Sequence, residues 1–437
     1  MSTVADHYAE INGQQEKTQR TLSAIIIFAT AFFNLALCFI NTTLFGIGAG
    51  VVIGAEITLL GLALGLVWYR GHELYTIALL GTAYFLVVMI ARSEFDAKII
   101  RDILIPIVFF FVGSHLGSLR NADRLVTILI FVALGGALFE WLALDTFLHY
   151  FDVIHYYQAR GIEPNLATDK AVGLFITGSD STAGLFINGT RFEERALLPF
   201  LGEHRASGIF LEPVSVGNFC AIAFAWILLR DRSRAWTLLL KSLAIATILV
   251  LADARFGCYL AIFTVIIYLM APLARPTMLF LTPFLILLAI IAYAGANAHD
   301  TWDNTIGGRL LLSGNFLLGL DPLQVLGLRT SDIFANGYAG TDSGYGYVLV
   351  KLGLVGVAAI WALFVYAPVA NDDAWRFKVF IAFYIVILLT ISASLFSIKT
   401  AALLWFLYGT LNAKAPLLWN RSLLHVEQDA EEVPFSG

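Results

Sequence analysis

The sequence predicts an all-α integral membrane protein of about twelve transmembrane helices, and three observations lead there. Hydrophobic residues make up 59% of the 437 and charged residues only 14%, with a mean hydropathy of +0.80. Average soluble domains carry about 25% charged residues, so this chain has too little polar surface to cover a globule in water. Apolar runs long enough to cross a bilayer, roughly 20 residues each, recur along the whole chain. Basic residues in the short connections also fall mainly on alternate sides of those runs.

The runs lie near 21–40, 44–67, 74–91, 103–119, 125–144 and 208–229 in the first half. The second half supplies 235–252, 256–271, 277–294, 343–366, 376–393 and 395–412, and the pair over 376–412 can be drawn in more than one way. The first run is full length with no cleavage site after it, and so reads as a signal anchor. Residues 1–20 form an N-terminal segment, 21–412 the polytopic domain and 413–437 a tail. The tail is acidic from His425 onward and reads as disordered.

Positively charged residues in short connections stay cytoplasmic. With the N-terminus inside, thirteen basic residues fall on the inner side, among them Arg70, Arg120, Arg232, Arg376 and Arg421. Only Arg92, Lys98, Arg101, Arg255 and Lys399 occupy the short outer connections. Both termini are therefore expected in the cytoplasm. The two long connections, 145–207 and 295–341, then share the outer side. Loops of that length are usually functional, and both are rich in glycine and aromatics, as at Tyr156-Tyr157 and Gly337-Tyr338. Short re-entrant or interfacial helices are expected within them.

Composition also excludes several classes. A net charge of −5 argues against nucleic acid as a partner. Cys38, Cys220 and Cys258 sit in or beside apolar runs and read as packing residues, not as a disulfide framework or zinc site. There is no phosphate-cradling glycine loop with lysine, no HExxH metal spacing and no nucleophile elbow.

Chemistry is instead expected from charges at the outer mouths of helices. The segment His204-Arg205-Ala206-Ser207-Gly208-Ile209-Phe210-Leu211-Glu212-Pro213 runs straight into a span. Proline restricts the residue before it and opens a helix, so Glu212 falls at a helix break near the outer surface. The plainer alternative is that Arg205 snorkels to headgroups with Glu212 as its partner. Asp253-Ala254-Arg255-Phe256-Gly257 reads as a tight outer turn with Arg255 at a helix start, or simply as an Asp253–Arg255 surface pair. Arg309, in Gly307-Gly308-Arg309-Leu310, lies in a stretch that could form a short helix against the bundle. Asp342 precedes the next span and could be its N-cap or a catalytic carboxylate. Glu56 and Lys351 are expected to face the bundle interior in ion pairs. Lys241 and Glu140 lie close enough to helix ends to snorkel.

These outer-face pieces, in this order, resemble the bacterial polysaccharide polymerase and O-antigen ligase superfamily (Wzy and WaaL proteins), most closely its exopolysaccharide branch of xanthan-type polymerases. Four pieces carry the likeness. They are Arg205 with Gly208 and Pro213; Arg255-Phe256-Gly257; Arg309; and the run from Asp342-Ser343-Gly344-Tyr345-Gly346-Tyr347 to Leu354-Val355-Gly356. The likeness covers about residues 200–365.

The resemblance implies a GT-C-like, metal-independent glycosyltransferase of the inner membrane that needs no cofactor and works on the periplasmic face. The implied partners are oligosaccharides linked to undecaprenyl diphosphate, the bilayer, and chain-length regulator or export proteins. Arg205, Arg255 and Arg309 would hold the diphosphate. The residue that takes the acceptor's proton stays open among Glu212, Asp342 and Glu203. Ligases usually offer histidine where this chain has Asp342, which favours polymerisation over ligation. A flippase or secondary transporter is the alternative from another class. A major-facilitator protein, however, would carry a basic motif between its second and third spans, and Trp68-Tyr69-Arg70-Gly71-His72-Glu73 supplies none.

Overall fold

The computed structural model describes residues 2–69, 72–93, 96–159, 197–202, 204–297, 306–329, 343–390 and 392–413. Among these residues every regular element is helical. The first long helices are α1 (Ser2–Thr43), α2 (Ala49–Val67), α3 (His72–Arg92), α4 (Ala97–Leu116) and α5 (Leu119–Leu142). Two short helices follow, α6 (Leu144–Tyr150) and α7 (Val153–Ala159). The second half holds α8 (Pro213–Arg230), α9 (Ala235–Leu251), α10 (Arg255–Met270) and α11 (Pro276–Ala296). After short α12 (Ile306–Leu318) and α13 (Pro322–Val325) come α14 (Gly344–Tyr366), α15 (Asp372–Leu389) and α16 (Ile398–Leu411).

Each of the twelve apolar runs of the sequence contains a helix. Nine helices among the described residues are long and apolar enough to cross a membrane: α1 to α5, α8, α10, α11 and α14. The other three fall short for visible reasons. Helices α9 and α16 are apolar but have only 17 and 14 residues. Helix α15 begins with Asp372, Asp373, Arg376 and Lys378. The chain is thus an all-α, multi-pass membrane protein. The short helices expected within the long connections are present as α6 and α7 in the first and α12 and α13 in the second. The tail from residue 414 lies outside the described residues.

Burial separates a centre from a lipid-facing rim. About 78% of the apolar window of α8 is buried, against 22% for α2, α3 and α11. Hydrocarbon gives apolar helices no hydrophobic reason to associate, so close backbone packing has to hold them. The pairing of α4 with α16 shows how. A Cβ at Gly409 would come within 2.0 Å of the Phe110 carbonyl, and one at Gly113 within 2.1 Å of that of Phe406. Only glycine permits this approach.

Helix α14 is broken at Gly353, whose φ is +71° and ψ 156°. Gly327, also at positive φ, meets this break backbone to backbone. Nine residues at 1.5 Å rise place Gly353 about 14 Å along the axis from Gly344. The freed carbonyls need partners at that depth, and α3 supplies them. Tyr84 donates to the Leu352 carbonyl at 2.7 Å, and Arg92 donates to Lys351 at 2.6 Å and to Val350 at 3.3 Å.

Two lysine and glutamate expectations need correction. Lys241 does not snorkel: it is buried and donates to Asp231 at 2.8 Å, because the turn into α9 brings the two together. Glu140 does not snorkel either, as it is fully buried.

Candidate functional site

Residues 204–212 lie between the first long connection and α8, and several helices clamp them. Glu140, on the last turn of α5, accepts hydrogen bonds from the Ser207 amide at 2.8 Å, the Ser207 hydroxyl at 3.2 Å and the Gly208 amide. His204 Nε2 stands 3.3 Å from the same carboxylate. A buried carboxylate is tolerable only when it is satisfied in this way. The Ala206 amide donates to the Leu251 carbonyl at 3.0 Å, and the Tyr157 hydroxyl reaches the Leu211 carbonyl at 3.4 Å. Leu211 itself has φ +58°, a region costly for a branched side chain that persists where surroundings over-determine it.

This strained corner delivers Glu212. Its backbone is extended, Pro213 occupies the first helical position, and its side chain does not cap α8. The carboxylate, 29% exposed, instead accepts from the Ser215 hydroxyl at 2.9 Å and the Lys399 ammonium at 3.2 Å. Lys399 is only 5% exposed and also donates to the Phe210 carbonyl at 3.3 Å. One turn below, fully buried Asn218 donates to Ser394 at 3.0 Å, while its carbonyl oxygen has no hydrogen-bond partner among the described residues. Glu212 is therefore a partly open carboxylate with a lysine and a hydroxyl as its polar partners.

Arg205 and Arg255 meet at one turn. Arg205 donates to the carbonyls of Ala252 at 3.1 Å and Asp253 at 3.4 Å, just past the C-terminus of α9, where carbonyls lack helical partners. Arg255 opens α10 with its side chain 37% exposed and its Nε 4.0 Å from Asp253 Oδ2. The expected Asp253–Arg255 pair is thus present, but its surface location is corrected, because Asp253 is fully buried and also accepts from the Leu197 amide at 2.9 Å.

Arg309 belongs to another part of the same end of the bundle. It lies on α12, one turn before Ser313, which donates to the Thr390 carbonyl at the end of α15. The described contacts do not join it to the Arg205–Arg255 turn. Asp342 and Glu203 lie outside the described residues. The cap of α14 is Ser343, whose hydroxyl accepts from the Gly346 amide at 3.1 Å. Capping, the simple role considered for Asp342, is thus filled by its neighbour.

A second polar network continues around this end. Asp102, buried on α4, accepts from Arg101 at 2.6 Å and from the Tyr347 hydroxyl at 2.8 Å. Arg101 also pairs with Glu56, and Lys351 with Asp96 at 2.7 Å, so both expected interior charges are paired. Burial alone would raise the Asp96 carboxyl, but Lys351 and two backbone amides hold it below its usual value. The Tyr347 ring packs on Phe396, two residues from Ser394, which links this network to Asn218 on α8.

Sequence reasoning singled out Glu212, Arg205 and Arg255 but missed Glu140 and Lys399 as parts of the site. Their partners are 67 and 187 residues away, so no local spacing signals them. Comparison with family models, curated proteins and solved structures gave no match.

Proposed function

We propose that the protein is a GT-C-like polysaccharide polymerase with twelve spans in a bacterial inner membrane and both termini in the cytoplasm. It joins oligosaccharide repeat units carried on undecaprenyl diphosphate at the periplasmic face. The observation that carries this reading is the clamped 204–212 segment, which sets a partly exposed carboxylate, Glu212, and Arg205 at the same end of the bundle as Arg255. In the reaction, a hydroxyl of the acceptor repeat unit attacks the anomeric carbon of the donor. The bond from that carbon to the diphosphate oxygen breaks, and the electron pair leaves with the lipid diphosphate. Glu212 takes the hydroxyl proton, and Lys399 and Ser215 orient its carboxylate. Arg255, Arg205 and Arg309 meet the diphosphate with planar donor forks, and no metal is required.

The test is Glu212→Gln, which keeps size and hydrogen bonding but removes the base. The variant should reach the membrane at the normal level and form no polymer. Full polymer formation would remove Glu212 from the mechanism.

A flippase or transporter of lipid-linked glycan has one observation in its favour, the broken helix α14, since discontinuous helices line substrate sites in secondary transporters. Here the break is occupied by Gly327, Tyr84 and Arg92, which favours a structural role for it.

A further inference from the structure

Helices α15 and α16 meet at a joint built around a single 3-10 turn, Ser394–Phe396. The side of this joint next to α15 is held from two directions. Ser313 on α12 donates to the Thr390 carbonyl at 3.2 Å, and a Cβ at Gly344 would come 2.5 Å from the Ser392 carbonyl. On the side next to α16, among the described residues, the side-chain hydrogen bond that arrives from another helix is that of Asn218. Its amide on α8 donates to the Ser394 hydroxyl at 3.0 Å. Ser394 stands five residues before Lys399, whose ammonium meets Glu212 at 3.2 Å. The first two turns of α8 and their cap therefore grip the entry of α16 twice, through Glu212 on Lys399 and through Asn218 on Ser394.

Asn218 holds this place at a cost in stability. It is fully buried, and its carbonyl oxygen has no hydrogen-bond partner among the described residues. Turning the amide over would only exchange which of its two groups is left unpaired. The residues that follow it, Phe219, Cys220, Ala221 and Ile222, are all buried and apolar. A buried acceptor without a donor is destabilising, and a leucine of similar size carries no such penalty. Packing alone would thus favour an apolar side chain here. A lysine ammonium on its flexible stem, by contrast, is placed only as well as the backbone that carries it.

We infer that Asn218 is a positioning residue for the proposed glycosyl transfer. Through Ser394 it fixes where α16 begins, so that Lys399 holds the Glu212 carboxylate in the attitude its work as a base requires. The inference rests on the reading of Glu212 as that base.

Asn218→Leu tests it in the purified full chain. The variant should keep a thermal midpoint at or above that of wild type, because the unpaired amide group is gone. Its kcat for polymer growth should fall roughly tenfold to a hundredfold with KM unchanged, as misplacement of a reacting group by about 1 Å does. In a Lys399→Met background the same change should lower kcat no further, since residues that act through one another are not additive. Ser394→Ala removes the bond from its other end and should reproduce the loss if leucine packs badly at 218. A second readout needs no turnover: modification of Glu212 by a water-soluble carbodiimide, followed by peptide mass spectrometry. It should be faster in Asn218→Leu, Ser394→Ala and Lys399→Met than in wild type, and no faster in the double variant of Asn218 and Lys399. Failure of the wild-type chain to extend repeat units would refute the proposed function and leave this second readout to decide the placement of Glu212. Wild-type modification rates in both Asn218→Leu and Ser394→Ala, or effects of Asn218→Leu and Lys399→Met that multiply, would overturn the inference.

Discussion

Replacing Glu140 tests how the 204–212 segment is held. In Glu140→Ala the amides of Ser207 and Gly208 lose their acceptor inside the protein. Each unsatisfied buried donor costs about 1–3 kcal/mol, so the variant should lose about 2–6 kcal/mol. Glu140→Gln keeps the shape, its one oxygen can still accept from both amides, and its NH2 faces the Ser207 hydroxyl, which can accept, so it should lose clearly less than Ala. Thermal denaturation in detergent measures the loss, with Gln falling between wild type and Ala. A local readout separates this effect from general weakening. Ala206 is fully buried beside the clamp, so a cysteine placed there, with the half-buried Cys258 replaced by alanine, should resist maleimide. It should label readily once Glu140 is changed. A Glu140→Ala protein with wild-type stability and a protected cysteine would show that the carboxylate does not hold the segment.

Three further outcomes are expected. Arg205→Ala, Arg255→Ala and Arg309→Ala should each lower polymer formation by roughly a hundredfold, as loss of a transition-state donor does. Lysine should rescue poorly because it lacks the fork, and normal polymer in all three alanine variants would refute the diphosphate role. Reporter fusions after Arg232 should sit in the cytoplasm and fusions near Asp180 in the periplasm; a cytoplasmic result at Asp180 would also overturn the location of the site. Gly409→Leu should abolish stable accumulation, since even a Cβ there falls 2.0 Å from the Phe110 carbonyl. Wild-type levels of that variant would show that α4 and α16 do not pack as described.

The helices were legible because hydropathy over some twenty residues reports directly on what a bilayer tolerates. The break before Pro213 was legible for a similarly local reason, proline's fixed geometry. The kink at Gly353 was not, because it follows from Gly327 approaching from another segment. Glu140 was misread for the same reason. Two residues from a helix end, a carboxylate can reach water or turn inward, and the choice depends on whether a distant Ser207-Gly208 offers its amides. Lys399 stands near the start of α16 and reads as one of a few outer cations until α8 brings Glu212 against it. Asp342 illustrates the reverse case. The sequence offers Asp342 as a cap for α14, while the structure gives that role to its neighbour Ser343, an equally good capping residue.

Polymer growth by the isolated protein tests the central claim most directly. Purified full-length chain in detergent, given synthetic repeat units on undecaprenyl diphosphate without nucleotide, should convert them to longer oligomers and release undecaprenyl diphosphate in step with each linkage. Continued growth in the presence of EDTA is part of the same expectation. Repeat units that stay at their starting length, while the same protein in vesicles moves them across the bilayer, would contradict the account and make the protein a transporter.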